Sequence, residues 1–540
     1  MKNRLLALWL VVCLLCAGLT GCGDDGTGKG FRFPIDAEPE GLDPQMATDT
    51  ASVTVIAALF EGLTRLDADG KAVPGAATWT VSEDGLTYTF TLKEAAWSTL
   101  KLDDPANLWS TPTKVTAADF VFGWKRAVDP ATGSPLAAEF DGIKNAKAIR
   151  TGKKKLSDLG VKATGENTLV VTLEQPDSDF PARVATTPFM PCNQAFFEYT
   201  AGRYGLEKEY VLGNGAFWLA AWTHNESLLT YKYEHYHDAD AITPEAVRFV
   251  IGVEDPVAAL NKGDLDAAPL TAAQAAKAGE KVQKHPLRDT LRSLWFNTAT
   301  APFTTAETRR ALRDSIEWGA LEALLKDKGG AETRAGGFIP PEAVVAGTDL
   351  YRTPQNRLTY PTDVTAAKAS LKKGLTILEA GSLRFELLAA DDPVSADLAR
   401  YLVQSWQKNL GVYPTLTLLP EADLTRRVHS GSYQAALYTH TPTGRTGAEN
   451  LSVFASDAAG NLAGLSNQTV DTALQRALEG GRAELETLEQ MLWKACPCVP
   501  LGDVTRYGAV AAGVEGVTLR PFGGGRYSAP IDFRKAKKFE

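Results

Sequence analysis

From Phe31 onward the chain alternates between two apolar periods, and that alternation restricts it to a layered α/β fold. Leu86-Thr87-Tyr88-Thr89-Phe90-Thr91-Leu92 repeats every second residue, as a strand with one buried face must. Residues 167–173 do the same until Gln175-Pro176 stops them. Residues 117–127 instead place Phe120, Trp124 and Ala127 on one side, the spacing of a helix. Helices are also expected over residues 305–325, 364–373, 394–410 and 482–494. Within 394–410, Leu398, Tyr401, Leu402 and Ser405 or Trp406 recur at helical spacing, and Gly411 ends the run. Residues 412–419 then read as a buried strand. The aromatic residues of these segments suit a core better than a ligand box, and neither repeats nor long disordered tracts interrupt them.

The first residues follow another logic. Lys2 and Arg4 precede an apolar run from Leu5 to Ala17, shorter than the about 20 residues that a spanning helix needs. Residues 1–21 therefore read as a signal peptide. The run ends in Leu19-Thr20-Gly21-Cys22, which resembles a bacterial lipobox, so that cleavage leaves Cys22 as the mature N-terminus and lipid anchor. Two or three acyl chains, at about 0.8 kcal/mol per buried methylene, hold where one is marginal. Residues 22–30 form a glycine-rich, polar tether. Gly23, Gly28 and Lys29 fall at the spacing of a phosphate-binding loop, but Gly30 stands where Ser or Thr would hold magnesium, and two aspartates would repel phosphate.

Composition narrows the function. More than 500 of the 540 residues remain after the signal, enough for two or three domains with real cores. A formal charge of −9 argues against a nucleic-acid partner. Beyond Cys13, Cys16 and Cys22 only Cys192, Cys496 and Cys498 are left, which allows one bridge at most. Unlinked or partly linked buried cysteines fit better than a metal site, which would need a fourth ligand.

Glu38-Pro39-Glu40-Gly41-Leu42-Asp43-Pro44 opens a series of short motifs. Phe60-Glu61-Gly62-Leu63 and Gly70 to Gly75 follow, then Thr116-Ala117-Ala118-Asp119-Phe120-Val121-Phe122-Gly123-Trp124-Lys125-Arg126. Next come Asp129 to Pro135, Asp158 to Ala163, and Gly213-Asn214-Gly215-Ala216-Phe217 with Trp222. Gly263-Asp264-Leu265-Asp266, and Phe296-Asn297 with Pro302-Phe303, complete the series. In this order, from residue 31 to about residue 505, they resemble the extracellular solute-binding proteins of family 5. These are the oligopeptide-, dipeptide- and nickel-binding components of ABC importers, and the segment Asp158 to Ala163 is most similar to the oligopeptide binders.

The resemblance implies a two-lobed α/β fold of the periplasmic-binding-protein type (type II, cluster C) that closes around its ligand. Lobe I would comprise residues 31–61, 171–275 and 506–540, with an extra small domain, 62–170, packed on it. Lobe II would comprise 276–505. Ligand touches both lobes only when they are closed, so it shifts the population toward closure. The implied partners are an oligopeptide or related small solute, the permease subunits of an ABC importer, and the bilayer through Cys22, with the protein monomeric on the outer face of the cytoplasmic membrane. No cofactor and no metal is implied. A sensory or adhesion lipoprotein that keeps the fold without transport is the alternative.

The likeness sets the ligand against Thr48, Asp49, Thr50, Leu136, Trp295, Tyr438, Thr439, His440, Thr441, Thr443 and Arg445. Peptide binders of this family pair an aspartate of the second lobe with the ligand's ammonium. The matching stretch here, Leu437 to Arg445, holds no acid, and the next is Glu449. Capture through a free amine thus lacks its usual partner. His440 and Arg445 suit an anionic group; a solvated loop is the competing reading. Leu136 replaces a tyrosine found in some peptide binders, and residues 98–112 form a longer loop than is usual in the family. Neither a Gly-x-Ser-x-Gly elbow nor a His-Glu-x-x-His motif occurs, so no enzyme is expected. His235-Tyr236-His237, beside Glu234 and Asp238, is the most metal-like cluster, and its place in the family is a surface loop.

Overall fold

The computed structural model describes residues 30–539 except 69, 101–108, 329–331, 348, 359–360, 443, 459 and 525–526. The expected signal peptide, Cys22, Thr443 and all of the tether but Gly30 lie outside the described residues.

Two hydrophobic cores organise the chain. One gathers residues between Phe31 and Val282 together with Ala509 to Ala536, and the other gathers Leu294 to Leu501 with Phe522. The first contains a four-stranded sheet in which Phe31–Ile35 lies parallel to Ala246–Ile251, followed by Ser227–Lys232 and Phe217–Thr223. A separate antiparallel sheet of Ala77–Val81, Thr87–Leu92, Thr168–Thr172 and Val161–Gly165 packs into the same core. The second core lies on a seven-stranded mixed sheet. Two of its strands, Gln283–Phe296 and Cys498–Val510, run antiparallel from one core to the other and connect the two lobes. Their ladder bulges between Leu287 and Thr290. At this bulge the fully buried carboxylate of Asp289 takes Arg506 at 2.5 Å and the backbone N–H of Phe522 at 2.7 Å.

Local chemistry explains most boundaries. Helix Ala117–Val128 begins where Thr116 and Asp119 form a reciprocal cap, with Thr116 N–H donating to Asp119 Oδ2 at 2.7 Å. Helix Pro393–Leu410 starts on Asp392, which accepts from Val394 and Ser395, and ends on Gly411 at φ 67°.

Two expectations change. The helix expected over 305–325 is two helices, Ala306–Asp314 and Trp318–Lys328. Side chains of the neighbouring helix claim the carbonyl of Ser315, Asn409 Nδ2 at 2.8 Å and Ser405 Oγ at 3.1 Å, so that carbonyl is drawn outward and the helix breaks. The strand expected over 412–419 is Thr415–Leu419, because Pro414 has no N–H to give the ladder. The cysteines Cys192, Cys496 and Cys498 are buried and unlinked, Cys192 in the first core and the other two in the second. Burial pushes the Cys192 thiol up to about 12.

Candidate ligand cleft

The first wall of the cleft is a loop fixed by buried charge. Arg126, on the helix Ala117–Val128, grips Asp43 through two bonds of 2.7 and 2.5 Å and reaches Gln45 Oε1 at 2.5 Å. Gln45 donates onward to Pro188 O and Met190 O, and Trp124 Nε1 donates to Phe189 O at 2.8 Å. Ser134 Oγ donates to Gln45 O at 2.6 Å and accepts from the N–H of Leu136, which is fully buried. This network sets Thr48, Asp49 and Thr50 at the start of helix Thr50–Leu59. Thr48 and Thr50 are exposed, and Asp49 caps the helix by accepting from Ser52 N at 2.8 Å. Its other oxygen, Oδ2, is buried without a hydrogen-bond partner among the described residues. The far end of the same helix is braced by Gly213-Asn214-Gly215. Asn214 bonds both the N–H and the C=O of Glu61, and a Cβ at Gly213 would lie 2.0 Å from Leu59 O.

The second wall comes from the second core. Trp295, on the strand Gln283–Phe296, stacks on Phe454 with centroids 5.7 Å apart and meets the His440 ring edge-on at 6.0 Å. Across the ladder, Tyr438, Thr439 and His440 pair with Ser293, Arg292 and Leu291. The Tyr438 hydroxyl lies 3.3 Å from His429 Nε2, and Thr441 Oγ1 is 2.7 Å from Thr290 Oγ1. Burial, and secondarily His429, lowers the His440 pKa to about 4, so its ring is neutral at physiological pH.

The two walls meet at Arg445. Its backbone N–H donates to Glu449 Oε2 at 2.9 Å, while its guanidinium donates to the carbonyls of Gly70, at 2.8 Å, and Gly347. Gly70 belongs to the first-core side, so this bond spans the cleft. It also means that an anionic solute would have to share or displace those carbonyls. Behind it lie Asp177, Asp179 and Arg183. Burial, then Asp177 and Glu449, raises the Asp179 pKa, partly countered by Arg183 and Arg445. Burial opposes the Arg183 cation, but Asp177 and Glu449 outweigh it and hold its pKa up.

The description "bacterial extracellular solute-binding proteins, family 5 Middle" fits residues 71–461 of this sequence. The chain belongs to this family. Among its relatives, the oligopeptide-binding protein OppA of Bacillus subtilis (strain 168) is 30% identical over 80% of this chain and 81% of its own length. The probable deoxycholate-binding periplasmic protein YgiS of Escherichia coli (strain K12) is also 30% identical, over 83% and 82%. The solved substrate-binding domain of an oligopeptide ABC transporter from Bacillus anthracis str. Ames superposes with a TM-score of 0.75. It is 25% identical and covers 95% of this chain and 99% of that one. As a family 5 solute-binding protein, the molecule has the two-lobed α/β fold that its motifs imply.

Within this family 5 cleft the remaining expectations find varied places. Tyr236, His235 and His237 sit in a turn rather than on a strand. His235 is exposed, whereas His237 Nε2 and the Tyr236 hydroxyl both turn inward to Glu61 at 2.5 Å, so the two histidines do not converge. Among the described residues no cluster of three potential metal ligands occurs, and no helix is long and apolar enough to cross a membrane. Sequence reasoning missed Asn450, which is 4% exposed on helix Gly447–Leu451 and has no side-chain hydrogen-bond partner among the described residues. An asparagine inside a helix, where it is a poor former, was the only available sign.

Proposed function

We propose that this chain is the substrate-binding lipoprotein of an ABC importer, anchored by Cys22 on the outer face of the cytoplasmic membrane. It captures an oligopeptide or related small solute between its lobes and delivers it to permease subunits, working as a monomer and without catalysis. The observation that carries this reading is the cleft itself. The two sides approach where the Arg445 guanidinium bonds the carbonyl of Gly70, and the buried polar atoms of Asp49, Trp295 and Asn450 have no hydrogen-bond partner among the described residues. Buried polar atoms without a partner occur elsewhere too, at Trp97, Arg126 and Tyr204 for example, so what counts is that Asp49 and Trp295 fall among the expected ligand positions. The relatives named for oligopeptides favour a peptide as that molecule. In this reading lobe I spans residues 31–61, 171–275 and 506–540, the extra domain 62–170 and lobe II 276–505, with the solute set among Thr48, Asp49, Thr50, Leu136, Trp295, Tyr438, Thr439, His440, Thr441, Thr443 and Arg445.

Native mass spectrometry of the mature protein, followed by identification of what leaves it on denaturation, tests this directly. A pool of peptides is expected. A bile acid, as the name of YgiS would suggest, or a metal or sugar would overturn the peptide assignment. Loss of palmitate labelling in Cys22→Ser would establish the anchor, and unchanged labelling would remove it.

A further inference from the structure

A second hollow, of about 90 Å³, lies on the first-core side and apart from the ligand cleft. The helix Thr50–Leu59, the turn at Thr187 and the C-terminal stretch from Arg520 to Arg534 bound it, and none of the expected solute positions lines it. Three of its lining residues carry a polar atom that the fold leaves unanswered. Thr187 is 1% exposed, and its hydroxyl has no hydrogen-bond partner among the described residues. The same is true of the buried Oγ of Ser528 and the buried Nε of Arg520.

The charges around the hollow do not balance. Arg65, Arg520 and Arg534 line it against Glu61 and Asp532, three positive groups to two negative. Both carboxylates are already engaged. Asp532 accepts from Arg534 at 3.0 and 2.5 Å, and Glu61 takes the Tyr236 hydroxyl and His237 Nε2, each at 2.5 Å. Arg520 reaches Asp532 at 3.4 Å and donates to Leu66 O at 2.9 Å, which leaves its Nε open. Burial pulls the Arg520 pKa down; Asp532 opposes this, and the cations Arg534 and Arg65 reinforce it.

A hollow of this size has room for about three waters or for one small oxyanion. Water would answer the two hydroxyls equally well. It would not neutralise the surplus guanidinium, a cost that only a counter-charge removes. Guanidinium and hydroxyl groups both donate, and their bonds to an anionic oxygen are the strong, charge-assisted kind.

We propose that this hollow binds a small inorganic oxyanion of the phosphate or sulfate class, held by Arg520 and the hydroxyls of Thr187 and Ser528. The site is separate from solute capture and does not depend on what the solute is. Its place gives the ion a role. Phe522 belongs to the second core and gives its N–H to Asp289 at the bulge of the crossing strands, whereas Ile531 belongs to the first core. An ion shared by Arg520, Ser528 and Thr187 pins this connecting stretch to the first lobe, beside the bond from Thr187 N–H to Tyr527 O at 2.9 Å.

The test is calorimetric titration of the mature protein in detergent with sodium phosphate and with sodium sulfate, against sodium chloride at matched ionic strength. Saturable binding of one ion per chain, with a Kd below about 1 mM, is expected for phosphate or sulfate. Thr187→Val keeps the side-chain shape and removes one hydroxyl, and Ser528→Ala removes the other. Each should weaken the ion about tenfold while the melting temperature in chloride is retained. Arg445→Ala, in the solute cleft, should leave the ion's affinity unchanged. Absence of saturable binding for both oxyanions, or an equal effect of chloride, would overturn the inference. Undiminished affinity in both hydroxyl variants would overturn it as well. A loss in Arg445→Ala alone would move the ion to the solute cleft, with the same result. None of these outcomes bears on solute capture, which the bound pool tests separately.

Discussion

On the first wall, the loop of residues 43–50 is tied down by a buried guanidinium, a carboxylate and a glutamine that bond one another, with Arg126 Nε left open. On the second wall, the ladder around Trp295 and His440 and the helix that carries Asn450 leave polar atoms unanswered. Among these described residues the first wall pairs most of its polar groups internally, and the second leaves those of Trp295 and Asn450 open. A scaffold that must be rigid on one side and receptive on the other divides its hydrogen bonds in this way.

The sharpest way to break the contrast is to unpair the closed wall. Arg126→Ala strands the carboxylate of Asp43 in a buried site, and a loss of about 3–5 kcal/mol is expected in urea unfolding. The same change is expected to abolish solute binding.

The second largest effect separates the walls by pH. His440 remains neutral in the folded chain down to about 4, because burial and His429 disfavour its cation. In the unfolded chain it takes up its proton near 6.5. Between those values the unfolded state binds the extra proton, so this stability is fully present above about 6.5 and declines as pH falls toward 4. Unfolding of the unaltered protein and of His440→Gln at pH 7 and 4.5 is expected to differ in slope by about 1–3 kcal/mol. Equal slopes would show that His440 is better solvated than its setting suggests.

The bond between the walls comes next. Gly70 adopts φ +73°, and a Cβ there would lie 2.7 Å from Arg445 Nε. Gly70→Ala and Arg445→Ala are each expected to cost about 1–2 kcal/mol of solute affinity, through a weakened closed state. X-ray scattering of the unliganded variants is expected to show a larger radius. Weakening confined to anionic solutes would instead place Arg445 on the ligand.

The smallest change sharpens the comparison at its exception. Asp49 caps a helix on the closed wall yet keeps one oxygen open. Asn caps as well as Asp, so Asp49→Asn is expected to change stability by less than about 0.5 kcal/mol in a thermal melt.

Much of this architecture was legible in the residue order because it depends on near neighbours. Thr116 with Asp119, and Asp392 with Pro393, mark helix starts through groups three residues apart or fewer, Gly411 marks a helix end by itself, and alternation marks Thr87–Leu92 as a strand. The break at Ser315 was hidden because its cause, Asn409, lies 94 residues away. The bond from Arg445 to Gly70 spans 375 residues and exists only when two walls meet, so no local pattern announces it. His237 read as half of a surface pair because its partner, Glu61, is 176 residues distant. Asn450 was silent for a different reason: what marks it is a missing partner, and sequence does not show absences.

Phe533 touches the rings of Phe31, Phe217 and Phe249, with centroids within 5.7, 5.7 and 5.9 Å. Residue 31 opens the first sheet, and residue 533 emerges from the ribosome some five hundred positions later. During synthesis, therefore, the earliest strand waits with part of its aromatic face uncovered until almost everything else has arrived, while the second core, whose last member is residue 522, can be completed sooner. A polypeptide cut between residues 522 and 533 would keep Phe522, the last member of the second core, while leaving the rings of Phe31, Phe217 and Phe249 without Phe533.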